Sequence, residues 1–181
     1  MRQETKVDSG TIASLFDLTI AGETATRDFY EGLSGMFAHE ANISRFWNNM
    51  AADASEQTRM LQDLRNALTS RQLSETADQD IFMTALENSR VQVSEVLAMV
   101  RSLNDAYTLA QLWENSELWR VIEFLIEKFI PTSADRRFVR LHITTHRNKL
   151  AAFYRAFGDV EERKKIEARN LVPPQTKRTE N

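Results

Sequence analysis

Cysteine is absent from the 181 residues. Its absence excludes a disulfide framework, a thiolate zinc site, an iron–sulfur centre and a cysteine nucleophile. Glycine and proline are scarce, at 5 and 3 residues, and neither occurs between positions 36 and 130. A β-rich chain would need such turn residues through that stretch, so long helices are expected. No apolar run approaches the ~20 residues of a membrane span. The longest, residues 121–130, is interrupted by Glu123, Glu127 and Lys128. The segment 1–9 is polar and lacks the apolar core of a signal peptide, which leaves a soluble cytoplasmic protein as the expectation. Neither sign of charge dominates: the formal net charge of −3 gives no global pull toward nucleic acid or an anionic membrane. What is present, 42% apolar and 27% charged residues, suits one soluble domain with a full core.

The apolar residues fall at helical spacing. A first helix is expected over about 11–37, with Ile12, Phe16, Thr19, Ile20, Tyr30, Leu33 and Phe37 on one stripe and Glu23 in its middle. A second is expected over about 42–68. Its stripe, Ile43, Trp47, Met50, Ala54, Gln57, Leu61, Leu64 and Leu68, steps by fours and threes. Residues 70–104 read as a connection holding two shorter helices, over 78–86 and 91–103. A third long helix is expected over 105–130, ended by Pro131. A fourth should start at Thr132 or Ser133 and stop near Phe157, before Gly158. Its predicted stripe is Phe138, Leu141, Thr145, Asn148 and Ala152. The domain plan is therefore a polar segment at 1–10, a bundle at 11–158 and a charged tail at 159–181, whose first half can extend a helix and whose part from Leu171 is expected to be disordered. Helix pair, long crossover, helix pair is a known way to bury four apolar stripes.

The two halves align when position 23 is set on position 114, an offset of 91. Phe16 then falls on Tyr107, Trp47 on Phe138, Met50 on Leu141 and Gln57 on Asn148. Identity is low, but both polar stripe positions keep their register.

A di-metal site in such a bundle takes one Glu from each of two helices and a Glu-x-x-His from each of the other two. Here the first helix offers Glu23, and the third offers Glu114 and Glu117 at i, i+3. The positions for Glu-x-x-His hold Ala54-x-x-Gln57 and Thr145-x-x-Asn148. The segments 21–25, 50–61 and 141–148, with the Glu114-Asn115-Ser116-Glu117 spacing, resemble those of rubrerythrin-like proteins. The resemblance covers about residues 11–157. It implies a ferritin-like four-helix bundle and, in intact members, a di-iron centre for peroxide reduction or iron oxidation. Only Glu23, Glu114 and Glu117 can be carried over as metal ligands. Three carboxylates balance two metal ions poorly in a low-dielectric core. The expectation is thus a degenerate, non-catalytic member without cofactor, in which Gln57, Thr145 and Asn148 join the glutamates in a polar network. The alternative is a metal-binding or redox protein that uses the reduced carboxylate site with iron or another divalent metal. If it were an enzyme, it would be an iron-dependent oxidoreductase.

Other residues carry less. His142 and His146 lie at i, i+4, a metal-pair spacing, but flank the predicted stripe and read as partly exposed. His39 reads as a turn residue. Asp53 and Glu56 flank the second stripe and read as surface charges. The fourth helix is basic, and its pairing with Glu123 and Glu127, within the chain or across a homodimer, is expected. A protein partner remains open. No aromatic interleaving supports nucleic acid, and no membrane contact is expected.

Overall fold

The computed structural model describes residues 10–170, apart from the side chains of residues 138, 139, 142, 143, 147 and 158–170 in the last helix. The described chain is all-α. Its elements are α1 (Ile12–Met36), α2 (Ala41–Ala67), α3 (Ser70–Leu73), α4 (Gln79–Asn88), α5 (Val93–Leu97), α6 (Leu103–Glu114), α7 (Leu118–Phe129) and α8 (Ser133–Asn170). None is long and apolar enough to cross a membrane. The expected polar segment 1–9 and the tail from Leu171 lie outside the described residues.

Helix α1 begins at a capping box in which Thr11 and Ser14 satisfy each other's backbone N–H groups. Backbone bonds from Ile12 to Glu75 and from Ala77 to Gly10 tie this start to the loop before α4. Helices α1 and α2 form an antiparallel pair. Ser34 meets Ser44 beside the connecting turn, and Arg65 meets Asp17 at the far end. Helix α8 runs antiparallel to α2, matching Phe46 with Phe153 and Asp53 with Lys149. It also packs on α6 and α7, while α7 touches α1 and α4.

Three expectations about elements are corrected. The single helix over 105–130 is two helices, α6 and α7, separated at Asn115–Glu117. Asn115 and Ser116 are poorer helix formers than most, and the chain takes a turn there, with backbone bonds from Asn115 to Gln111 and from Ser116 to Trp113. The fourth helix does not stop at Gly158 but continues to Asn170. Gly158 costs the helix stability without having to end it. Residues 70–104, expected to hold two helices, carry α3, α4 and α5, and α6 starts at Leu103.

The core is divided. One apolar cluster joins Phe29, Tyr30 and Leu33 of α1 to Trp47 and Met50 of α2, with Leu150 and Phe153 of α8. A small one holds Leu118, Ile122 and Ile126 of α7, and the other large one joins Leu15 and Phe16 to Leu61, Ile81, Val121 and Leu125. Between the two large clusters along α1 lie Thr19, Glu23 and Thr26, all buried. Gly22 permits this layer: a Cβ there would come within 2.9 Å of a Leu118 methyl, at the start of α7. The close approach sets the α6–α7 turn against the middle of α1.

Candidate functional site

The buried polar layer gathers Glu23 and Thr26 from α1, Gln57 from α2, Glu114 from the end of α6 and His146 from α8 around one cavity of about 30 Å³. Tyr30 reaches Glu114 from the next turn of α1: its hydroxyl donates to Glu114 Oε1 at 2.6 Å. His146 Nδ1 lies 3.1 Å from the same oxygen, and His146 Nε2 lies 3.2 Å from the Met50 carbonyl. The Tyr30 and His146 rings meet edge to face. Trp113 Nε1 donates to Thr26 Oγ1 at 2.8 Å, and the indole stacks on Phe29.

The protonation of His146 follows from its partners. A backbone carbonyl can only accept, so Nε2 carries hydrogen. Nδ1 faces a carboxylate oxygen that already accepts from Tyr30, so Nδ1 carries hydrogen as well. The ring is an imidazolium paired with the Glu114 carboxylate. Burial pushes the His146 pKa down, but the hydrogen bond and charge of Glu114, with the Met50 carbonyl, outweigh it and leave it raised. Burial, then the charge of Glu114, pushes the Glu23 carboxyl up to about 8, against a smaller lowering by His146. At neutral pH Glu23 is therefore a neutral acid. Burial and then Glu114 also hold the Tyr30 hydroxyl well above its ordinary value. The layer is close to electroneutral, which is how a low-dielectric site tolerates ionisable groups.

Helix α6 ends at Glu114, where the helix dipole disfavours a negative charge. The imidazolium and the tyrosine hydroxyl offset that cost. Glu117 sits before the first residue of α7, where the dipole favours an acid.

The predicted site residues separate. Glu23 and Glu114 come together in the layer, with Gln57 beside them. Glu117 does not: the turn at Asn115–Glu117 rotates it to the surface, where its side chain is 69% exposed and faces Arg120, against 13% for Glu114. Thr145 and Asn148, expected in the network, are exposed, and so are Leu141 and Ala152. Among the described side chains of α8, the buried ones are His146, Leu150 and Phe153. His146, read from the sequence as a partly exposed flanking residue, is 3% exposed and central. The cause is a change of register. The offset of 91 relates Glu23 to Glu114, but an offset of 89 relates Gln57, Leu61 and Leu64 to His146, Leu150 and Phe153. The signal available in the sequence was the i, i+4, i+7 series of those three α8 residues. The side chain of His142 lies outside the described residues. Asp53 pairs with Lys149 and Glu56 with Arg59, as surface charges do. The basic face of α8 pairs within the chain as expected, Arg136 with Glu127 and Arg140 with both Glu123 and Glu127.

The donor chemistry bears on a metal. Both ring nitrogens of His146 are engaged as N–H donors and offer no lone pair. Ala54 has no donor, Gln57 presents an amide, and Glu117 points away. Among the described residues no group of three or more histidine and carboxylate side chains stands where it could hold a metal ion. In this arrangement the residues present do not fit a di-metal centre. Glu23 Oε2 and Gln57 Nε2 are buried with no hydrogen-bond partner.

Compared with known protein families, with curated proteins and with solved structures, the chain matches none.

Proposed function

We propose that this protein is a ferritin-like, rubrerythrin-related helical protein. Its di-metal site has become a proton-holding polar network, and its role is that of a non-catalytic scaffold or interaction protein. In this reading α1, α2, the α6–α7 tandem and α8 are the four helices of the bundle, and α3 to α5 are the crossover. The observation that carries it is the His146 ring, with one nitrogen on Glu114 and the other on the Met50 carbonyl. A histidine in that state replaces positive charge that a metal would otherwise bring, in the place where the bundle needs it. Exposed Leu112 and Leu141 are available to a homodimer or a protein partner.

Anaerobic loading with ferrous iron followed by elemental analysis tests the reading. The expected result is no stoichiometric iron; two equivalents per chain would end it. The competing reading is a single divalent metal held by Glu23 and Glu114 after His146 turns its ring. The unpartnered Glu23 Oε2 is the observation in its favour. That reading predicts that Glu114→Gln removes bound metal, whereas the network reading predicts no metal in either protein.

A further inference from the structure

Where α2 faces α7, a second cavity adjoins the polar one. Its volume is about 60 Å³, and it is lined by Met60, Leu61, Leu64, Ile126 and Ile130, with Gln57 and Ile122 common to both chambers. One chamber is polar and holds two orphaned atoms, Glu23 Oε2 and Gln57 Nε2. Their residues are 5% and 6% exposed. The other chamber is apolar except for Gln57.

Buried polar atoms without partners favour any group that can meet them. Water could do so in the polar chamber, but it finds too few partners in the apolar one. A molecule with one polar end and a short hydrocarbon body satisfies both. Size sets its length. A protein cavity of about 150 Å³ accommodates benzene. The two chambers together, about 90 Å³, therefore suit roughly four heavy atoms. Charge sets its type. A carboxylate would add a negative charge beside Glu114, and an ammonium would meet the His146 imidazolium. Either would be desolvated without compensation. The ligand is uncharged.

We infer that the α2–α7 cleft is a binding site for short, uncharged aliphatic alcohols. The alcohol oxygen accepts from Gln57 Nε2, and its O–H donates to Glu23 Oε2. The alkyl chain lies against Met60, Leu64, Ile126 and Ile130. This inference rests on the metal-free reading of the polar layer given above.

The full chain is assayed for metal by elemental analysis, then titrated with 1-propanol, sodium propionate and n-propylamine. Nuclear magnetic resonance follows the Gln57 side-chain amide and the methyls of Ile126 and Ile130. The expected result is a saturable shift of these signals with 1-propanol, at millimolar half-saturation, and none with the charged analogues. Gln57→Leu should weaken 1-propanol about tenfold by removing the donor. Leu64→Phe, which fills the apolar chamber, should abolish saturation and supplies an independent arm should Gln57→Leu not fold. Shifts that stay linear in alcohol, or are equal in wild type and Leu64→Phe, overturn the inference and leave the metal-free reading standing. Stoichiometric metal in the purified protein overturns both.

Discussion

Glu114 and Glu117 have the same chemistry and lie three residues apart, yet their surroundings give them opposite weights. Glu114 is the counter-ion of a buried imidazolium and the acceptor of the Tyr30 hydroxyl. Glu114→Ala strands that imidazolium and should cost about 3 kcal/mol. Glu117→Ala, at the surface, should stay within about 0.5 kcal/mol of wild type. Urea denaturation of the two variants checks the contrast; equal costs would contradict the placement of the pair. Tyr30→Phe removes one hydrogen bond to a charged group and should cost about 2 kcal/mol. The same residues set a pH dependence. Native Glu23 keeps its proton up to about pH 8, while an unfolded glutamate releases it near 4.5. Between those values the native state binds more protons, so raising the pH favours unfolding, by up to about 1.4 kcal/mol per pH unit. His146 acts in the same direction. Its raised pKa contributes stability that is complete below 6.5 and is lost as pH rises through its native value. The urea midpoint should therefore fall from pH 5.5 to 8.5, and Glu23→Gln should flatten the slope. A midpoint that rises with pH over that range would contradict a neutral buried Glu23.

At the scale of elements, the long helices α1 and α2 follow from stripes that the sequence displays plainly, and their bounds agree within a residue or two. Two features were hidden. The turn between α6 and α7 spans Asn115, Ser116 and Glu117, with no glycine or proline to mark it, so an apolar period of 3.6 runs straight through it. On α8 the choice between two adjacent stripes depends on which face meets α2. The start of α1 is more local. Thr11→Ala removes the capping hydroxyl and keeps the backbone bonds to residues 75 and 77. It should cost about 1 kcal/mol, seen as a lower midpoint with unchanged circular dichroism.

Over the whole molecule, a polar layer divides the two larger apolar clusters, and every long helix contributes to it. Buried ionisable groups add little net stability compared with well-packed apolar ones, but they penalise any packing that leaves one unpaired. Retention of Glu23, Glu114 and His146 in one layer is consistent with their fixing the relative register of α1, α6 and α8. Composition and periodicity alone determined that this chain is helical, where α1 and α2 run, and that Glu23, Gln57 and Glu114 are candidates for one buried site. Those are properties of single helices, whose faces can be read at 3.6 residues per turn. Only the tertiary structure decided that Glu117 leaves the site and that His146 enters it. The reason is physical: a turn of three residues, Asn115 to Glu117, rotates every side chain beyond it. The face that α8 buries depends on partners distant in sequence, which no single stripe records.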